Sequence, residues 1–275
     1  MKSVIPIFFF ILVFTSNVFA QQNGPDLKSH AAMIFDIQNN HVVYSKNADN
    51  IMPIASITKL VTAMVILDAR LPLNEKINID SADADTLKNT RSRLQIGSTL
   101  TRHELLRIAL MSSENRAAAA LGRTYPGGIS AFVEAMNKKA RSLGMIDSRF
   151  IEPTGLSSEN ISTARDLVKL VAAAYSYNLI CELSTTTQHT VVPENKNDKL
   201  QFINSNSLVR SENWQIAISK TGFLNEAGRC LVMQAKITGK PIIIILLNSW
   251  GKNTRIGDAN RVRKWMEMNY IDKQV

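Results

Sequence analysis

The chain has few of the residues and patterns that define metalloproteins, membrane-spanning proteins or nucleic-acid-binding proteins. Its two cysteines and four histidines are not at metal-ligand spacing, so neither a metal nor a cofactor is predicted. Beyond the N-terminus no apolar run reaches the roughly twenty residues that span a membrane. The net charge of +9 is scattered, without basic runs interleaved with aromatics, so nucleic acid is not an expected partner. A positive surface suits either an anionic cell envelope or solubility alone.

The first twenty residues have the pattern of a secretory signal peptide. Lys2 supplies the positive charge, residues 5–14 the apolar core and Val18-Phe19-Ala20 the cleavage pattern. A retained N-terminal anchor is the alternative. We therefore expect a signal peptide at 1–20, a flexible leader at 21–29 and one domain at 30–275, without a stable membrane anchor after signal removal.

Export also bears on the two cysteines, Cys181 and Cys230, which lie far apart in the sequence. An exported chain permits a disulfide between them. Two buried thiols are equally compatible, because pairing is not readable from sequence. The sequence leaves both states open.

Strand patterns occur at both ends of the chain, and helical patterns lie between them. Asn39-Asn40 separates the first two strands and is typical of a hairpin. Thr101 and Glu104 form a capping box that predicts the start of a helix. The predicted strands are 31–38, 41–45, 214–219, 229–237 and 241–247, and the predicted helices include 60–67, 105–111, 129–143 and 254–270. The order predicts a mixed α/β fold in which strands from both termini share an antiparallel sheet, flanked by helices.

Ser56-Ile57-Thr58-Lys59 is the first pattern with chemical meaning. Side chains three apart at a helix start share a face, and a neutral lysine there can take the proton of the serine. The spacing alone is weak, because it arises roughly once by chance in a chain of this length. Ser249-Trp250-Gly251-Lys252 matches too, but it follows a predicted strand. Context therefore favours Ser56 as the nucleophile.

Amide cleavage needs a proton donor for the leaving nitrogen and donors for the oxyanion. Ser113-Glu114-Asn115 lies between two helical runs, where both polar side chains can face a cleft, although the same spacing recurs at 158–160, 176–178 and 211–213. Lys220-Thr221-Gly222 occurs once and is predicted to end the strand 214–219. Its glycine permits a close approach of backbone to ligand.

In this order, the three motifs resemble those of the low-molecular-mass penicillin-binding serine DD-peptidases, nearest to the D-alanyl-D-alanine endopeptidase type. The likeness runs from about residue 32 to about residue 265. It implies a β-lactamase/transpeptidase-like fold with a helical lobe, a periplasmic location, peptidoglycan stem peptides as substrates and β-lactam antibiotics as acylating inhibitors. The matching segments are 54–59, 111–118, 152–157, 220–223 and 225–230.

The resemblance implies a role for each motif residue. We expect Lys220, as a second cation in a partly dry cleft, to depress the pKa of Lys59. How Lys59 and Ser113 divide the proton transfers is not decided by the sequence. The implied roles are Ser56 as nucleophile, Lys59 as general base, Ser113 as proton relay, Asn115, Lys220, Thr221 and Gly222 as substrate-binding residues, and the backbone N–H groups of Ser56 and Phe223 as the oxyanion hole.

Three other functions share parts of this pattern. A DD-carboxypeptidase needs the same serine machinery, so only the resemblance favours an endopeptidase. A β-lactamase would use Glu152 for deacylation, but the Glu-x-x-x-Asn spacing is absent because Leu156 lies four residues later. Glu152 is therefore predicted to be structural. A non-catalytic sensor of β-lactams or muropeptides is disfavoured by the three intact motifs.

Overall fold

A computed structural model describes residues 24–196 and 198–270; the predicted signal peptide lies outside the described residues. The described part contains seven α-helices and eleven strands. The helices are α1 Lys59–Asp68, α2 Arg102–Met111, α3 Asn115–Arg123, α4 Gly128–Ser142, α5 Ala164–Ala174, α6 Asn178–Thr185 and α7 Thr254–Tyr270. The strands are β1 Ser29–Asp36, β2 His41–Lys46, β3 Met52–Pro53, β4 Lys76–Asn78, β5 Thr99–Thr101, β6 Ile161–Ser162, β7 Gln188–Val191, β8 Leu200–Ile203, β9 Gln215–Leu224, β10 Gly228–Ile237 and β11 Lys240–Ser249.

Strands from both ends of the chain form one five-stranded antiparallel sheet, in the order β2-β1-β11-β10-β9. Strand β1 pairs with β11, for example Ala32 with Leu246, which joins the two termini. The mixed α/β fold with a shared sheet is thus confirmed. The sheet ends at β9, which carries the Lys-Thr-Gly motif on its outer edge.

Both faces of the sheet are covered by helices, which explains the uninterrupted apolar run in β11. Ile243, Ile245 and Leu247 belong to a core shared with α1 to α6. Their neighbours Ile242 and Ile244 pack in a second core against α7. Because successive residues of a strand point to opposite faces, a strand buried on both sides lacks polar alternation.

Helix α1 lies inside the larger core, where residues 59–66 are all buried. This burial holds the helix in place, and Lys59 is its first residue. The helical lobe is formed largely by α2, α3 and α4, and the capping box of Thr101 and Glu104 is present at the start of α2 as predicted. A rigid, buried helix is a suitable support for a reactive side chain.

Part of the predicted flexible leader, 21–29, is packed against the rest of the domain. Leu27 is buried against the second core. The backbone N–H groups of Lys28 and Ser29 donate to the Asp258 carboxylate of α7, at 3.0 and 2.7 Å. A loose leader through residue 29 is therefore wrong for 27–29, because α7 supplies an apolar surface and a buried acceptor.

Strand β9 runs to Leu224, so Lys220-Thr221-Gly222 lies within the strand and not at its end. The prediction placed the motif at the end of strand 214–219. In the structure Gly222 pairs with Cys230 and Leu224 with Gly228, so the ladder continues to a tight turn. The β7–β8 hairpin and α6 were not predicted at all.

Several structural statements apply to the described residues alone. No helix in 24–196 or 198–270 is long and apolar enough to cross a bilayer. Within the same ranges, no group of three or more His, Cys, Asp and Glu side chains could hold a metal ion. Cys181 and Cys230 are both free thiols, which decides between the two states left open by the sequence.

Candidate active site

Ser56 and Lys59 are in direct contact at the entrance to α1. Residues 55–58 form a single 3₁₀ turn, and Lys59 begins the α-helix. A 3₁₀ turn has three residues per turn, so positions three apart lie above one another. The Nζ of Lys59 consequently lies 2.9 Å from the Oγ of Ser56. The structure confirms the predicted proximity and the predicted helix start.

The peptide before Ser56 is held in an unusual conformation. Ala55 has φ of +47°, a region that non-glycine residues seldom adopt. Gly155 and Gly222 pack against this peptide: a Cβ on Gly155 would lie 2.8 Å from the Ser56 nitrogen, and one on Gly222 3.2 Å from it. The two glycines let neighbouring backbones close on Ser56, which brings β9 next to its N–H group.

The Nζ of Lys59 has three oxygen neighbours. Besides Ser56, they are the Oδ1 of Asn115 at 2.8 Å and the carbonyl oxygen of Thr154 at 2.5 Å. The latter two oxygens only accept, whereas a hydroxyl also donates. A charged Lys59 donates to all three oxygens, whereas a neutral one can keep the bonds to Asn115 and Thr154 and accept the Ser56 proton on its lone pair.

Burial lowers the pKa of Lys59 to about 8, while the carboxylates of Glu152, Glu114 and Asp85 act in the opposite direction. We predicted that Lys220 would be the cause. The structure shows that burial is the main one, and that the repulsion acts on Lys220, whose pKa is held well below its usual value by burial first and by Lys59 second.

Ser113 and Lys220 form a second serine–lysine pair, although they come from distant segments of the chain. The Nζ of Lys220 donates to the Oγ of Ser113 at 2.9 Å and to the carbonyl of Thr221 at 2.9 Å. Ser113 has φ of +65°, so a strained turn between α2 and α3 aims its hydroxyl at β9. Asn115, the first residue of α3, contacts Lys59 as above and donates from Nδ2 to the Oγ1 of Thr90 at 3.0 Å.

One cavity of about 200 Å³ is lined by all of the predicted site residues except the two lysines. Lys59 and Lys220 reach its wall through the bonds to Ser56 and Ser113. Its lining residues are Ser56, Thr90, Ser113, Asn115, Gly155, Leu156, Thr221, Gly222, Phe223 and Arg255.

Arg255 is the lining residue that the sequence did not reveal. It lies in the first turn of α7, and its Nε and Nη1 are buried without a hydrogen-bond partner among the described residues. Burial, followed by the nearby Arg229, lowers its pKa. A guanidinium with two buried, unused donor atoms beside a cavity is suited to bind a carboxylate. No local pattern in the predicted helix 254–270 distinguishes it from the other basic residues there.

The loop that follows Glu152 is organised by that carboxylate. Its oxygens accept from the N–H of Thr154 at 2.6 Å, the N–H of Gly155 at 2.7 Å and the Nδ2 of Asn160 at 2.9 Å. These bonds place the Thr154 carbonyl on Lys59. They also engage Glu152 within its own loop, as expected of a structural residue.

The second Ser-x-x-Lys copy has a different setting. Ser249 ends β11, and its Oγ lies 2.7 Å from the Oγ of Ser29 in a buried cluster with Asp258. Trp250, the next residue, is almost fully exposed. Ser249 is therefore bound at the junction of the termini, away from the cavity of Ser56.

The sequence and fold match known peptidases over most of the chain. The family model described as D-alanyl-D-alanine carboxypeptidase, peptidase S11, matches residues 17–251. The D-alanyl-D-alanine endopeptidase of Escherichia coli K12 is 51% identical over 247 residues, covering 90% of this chain and 80% of that protein. The chain therefore belongs to the S11 family of serine peptidases.

Solved structures agree with that assignment. The Streptomyces K15 DD-transpeptidase has a TM-score of 0.82 at 27% identity, over 90% of this chain and 99% of that one. Penicillin-binding protein D2 of Listeria monocytogenes, in an ampicillin-bound form, has a TM-score of 0.74 at 28% identity, over 89% of this chain and 99% of that one. The DD-transpeptidase/penicillin-binding protein fold predicted from the motifs is confirmed.

Proposed function

We propose that this protein is an exported, periplasmic serine DD-peptidase that cleaves D-alanyl crosslinks in peptidoglycan through an acyl-enzyme on Ser56. The observation that carries the proposal is the pairing of Ser56 with Lys59 at 2.9 Å beside the pairing of Ser113 with Lys220 at 2.9 Å. One pair can activate a nucleophile, and the other can deliver a proton to a leaving amine.

Acylation begins at the Ser56 hydroxyl. Neutral Lys59 takes the proton, and the Oγ attacks the carbonyl carbon of the D-alanyl amide. The oxyanion accepts hydrogen bonds from the backbone N–H groups of Ser56 and Phe223, each worth about 3–4 kcal/mol in other serine hydrolases. Collapse then breaks the C–N bond and leaves an ester on Ser56.

The leaving nitrogen takes the proton of the Ser113 hydroxyl. The proton that Lys59 took from Ser56 replaces it by way of Lys220, so Lys59 is neutral again. Water then attacks the ester, with Lys59 as base, and releases the acyl peptide. Asn115 keeps one Nδ2 hydrogen beyond its bond to Thr90, and this hydrogen is available for the substrate backbone. Thr221, with Lys220 and Gly222 beside it, and the unpartnered nitrogens of Arg255 are available for the carboxylate next to the scissile bond.

Two observations favour the endopeptidase assignment over its competitors, and a third supports export alone. The relative at 51% identity carries the endopeptidase name, whereas the family description names a carboxypeptidase. Glu152, the candidate deacylating acid of a β-lactamase, is already bonded to its own loop. The N-terminal segment 1–20 supports export.

Mass spectrometry after exposure to benzylpenicillin tests the nucleophile. A covalent adduct is expected on the peptide that contains Ser56 and not on the one that contains Ser249, and Ser56→Ala should carry none. An adduct elsewhere contradicts the mechanism. A chromogenic β-lactam that is turned over steadily, without a stoichiometric burst and stall, would instead identify a β-lactamase.

Chromatography of digested peptidoglycan tests the reaction. Loss of crosslinked dimers supports the endopeptidase, whereas trimming of pentapeptides alone supports the carboxypeptidase. If Ser56→Ala cleaves crosslinks as fast as the wild type, the catalytic proposal is wrong and a binding role replaces it.

A further inference from the structure

Two further cavities adjoin the catalytic cavity, and Asn115 lines all three. One, of about 280 Å³, is largely apolar and includes Leu87, Ile129 and Leu156. The other, of about 490 Å³, includes Arg91, Arg93, Phe202 and Ile203. We call the second cavity the arginine arm. The site therefore has two extensions of different chemical character.

Ser113 distinguishes the two extensions. It lines the arginine arm and the catalytic cavity, but not the apolar cavity. In the proposed reaction the leaving nitrogen takes its proton from Ser113, which requires hydrogen-bond contact. Whatever is attached to that nitrogen must extend past Ser113, into the arginine arm. The acyl half of the substrate then lies on the side of the catalytic cavity that is lined by Asn115 and Leu156.

The arginine arm carries positive charge that the fold does not use. Arg91 is exposed and forms no hydrogen bond or ion pair with another residue of the described ranges. Arg93 donates to the carbonyl of Gln201, and its guanidinium lies 5.7 Å from the ring centre of Phe202. This stacking orients Arg93 while leaving further N–H groups for a ligand.

Glu114, the acidic residue that lines the arginine arm, already accepts hydrogen bonds from its neighbours. The Oε1 of Glu114 accepts from the Oγ of Ser92 at 2.6 Å and from the N–H of Arg116 at 3.2 Å. Two arginines therefore face one hydrogen-bonded carboxylate, and the arm is net positive. Such a cavity is complementary to an anionic ligand.

The arm is also continuous with the carboxylate-binding end of the catalytic cavity. Strand β8 ends at Ile203 in the arm, and two residues later the Oγ of Ser205 lies 2.6 Å from the Oγ1 of Thr221. A chain whose first carboxylate sits near Thr221 can thus continue along β8 towards Phe202 and Arg93.

We propose that the arginine arm is the subsite for the leaving peptide of a D-alanyl crosslink, an anionic peptide whose free carboxylates bind Arg91 and Arg93. The inference rests on the proposed function. A carboxypeptidase reaction releases only D-alanine, which has no further chain to place in the arm. The arm thus contributes to crosslink cleavage and not to trimming of a terminal residue.

The test compares two substrates on purified protein: a D-alanyl-crosslinked peptide dimer and a monomeric pentapeptide that ends in D-Ala-D-Ala. For the double variant Arg91→Ala/Arg93→Ala we expect kcat/KM on the dimer to fall about tenfold, mainly through KM, and pentapeptide trimming to change less than twofold. The difference should shrink in high salt, because exposed charges are screened. The matched control is Arg141→Ala, an exposed arginine at the end of α4 outside all three cavities.

Equal losses on both substrates, or an unchanged KM for the dimer, would overturn the inference while leaving the proposed function intact. A wild-type protein that trims pentapeptide but leaves the dimer whole would overturn the proposed function, and the inference with it. Benzylpenicillin acylation of Ser56 in the double variant establishes that the protein is folded, because the β-lactam has no leaving peptide.

Discussion

Lys59 donates a 2.5 Å hydrogen bond to the carbonyl oxygen of Thr154, so a main-chain group holds this lysine beside Ser56. The carbonyl is fixed in turn, because the N–H and Oγ1 of Thr154 both donate to Glu152, at 2.6 and 2.5 Å. A half-buried carboxylate thus positions the lysine through the backbone of its own loop, without a hydrogen bond to Ser56.

Glu152→Gln should therefore reduce both stability and acylation. Both oxygens of the carboxylate accept hydrogen bonds from N–H groups. In either orientation of the glutamine amide, its NH₂ group would therefore face N–H donors and lose those bonds. We expect the free energy of unfolding to fall by about 1–3 kcal/mol, and the rate of Ser56 acylation by benzylpenicillin to fall because Lys59 is misplaced. Denaturant titration and stopped-flow acylation measure the two effects.

Glu159→Gln is the matched control for that variant. Glu159 lies in the same region but pairs with Arg149 on the surface, with both side chains more than half exposed. Exposed pairs contribute little, so unfolding should change by no more than about 0.5 kcal/mol. Equal effects of the two substitutions would contradict a positioning role for Glu152.

Acylation should depend on pH through Lys59. Its pKa of about 8 is below the usual lysine value because burial disfavours the charged form. The base must be neutral, and the neutral fraction rises with pH, so the second-order acylation rate should increase from pH 6 and level off above about pH 9. Rates of acylation by benzylpenicillin, measured across this pH range, report this dependence. A rate that is flat from pH 6 to pH 9 would contradict Lys59 as the base.

The sequence predicted the parts of the site that lie within short segments. Ser56 and Lys59 are three residues apart, and Lys220-Thr221-Gly222 is contiguous, so helix and strand geometry suffices to place each group. The shared sheet was also predictable, because strand patterns at both termini need partners.

What the sequence did not predict depends on contacts between distant segments. Lys59 and Thr154 are 95 positions apart, and Ser113 and Lys220 are 107 apart. The degree of burial of Lys59, and hence the cause of its lowered pKa, follows only from packing of α1 in the core. Arg255 belongs to no local sequence pattern. Only the packing of α7 against the sheet brings its first turn to the cavity.

Ser113→Gly separates the catalytic role of Ser113 from its structural one. The residue has φ of +65°, which glycine adopts without the cost that a side chain incurs. We expect a stability within about 1 kcal/mol of the wild type, because relief of the positive φ offsets the lost hydrogen bond from Lys220. Crosslink cleavage should fall by about 10²–10⁴ through loss of the proton relay.

Thermal unfolding and muropeptide chromatography report the two properties of Ser113→Gly. Ser142→Ala serves as the control, because its Oγ makes only a local bond to the carbonyl of Lys139 at the end of α4. Retained cleavage in Ser113→Gly would remove Ser113 from the mechanism.

Gly155→Ala should inactivate the enzyme through the backbone of its nucleophile. Gly155 has φ of +80°, and a Cβ there would overlap the Ala55 carbonyl and lie 2.8 Å from the Ser56 nitrogen.

Gly239→Ala is a matched control, since Gly239 has φ of +82° with nothing within 4 Å of the added Cβ. Both variants incur the cost of a side chain at positive φ, about 1 kcal/mol, but only Gly155→Ala must displace Ser56. We therefore expect a similar small fall in melting temperature for Gly239→Ala with normal acylation, and for Gly155→Ala a further fall with acylation reduced at least tenfold. Comparable acylation rates in the two variants would show that the close packing of Gly155 on the Ala55–Ser56 peptide is not needed to hold the nucleophile.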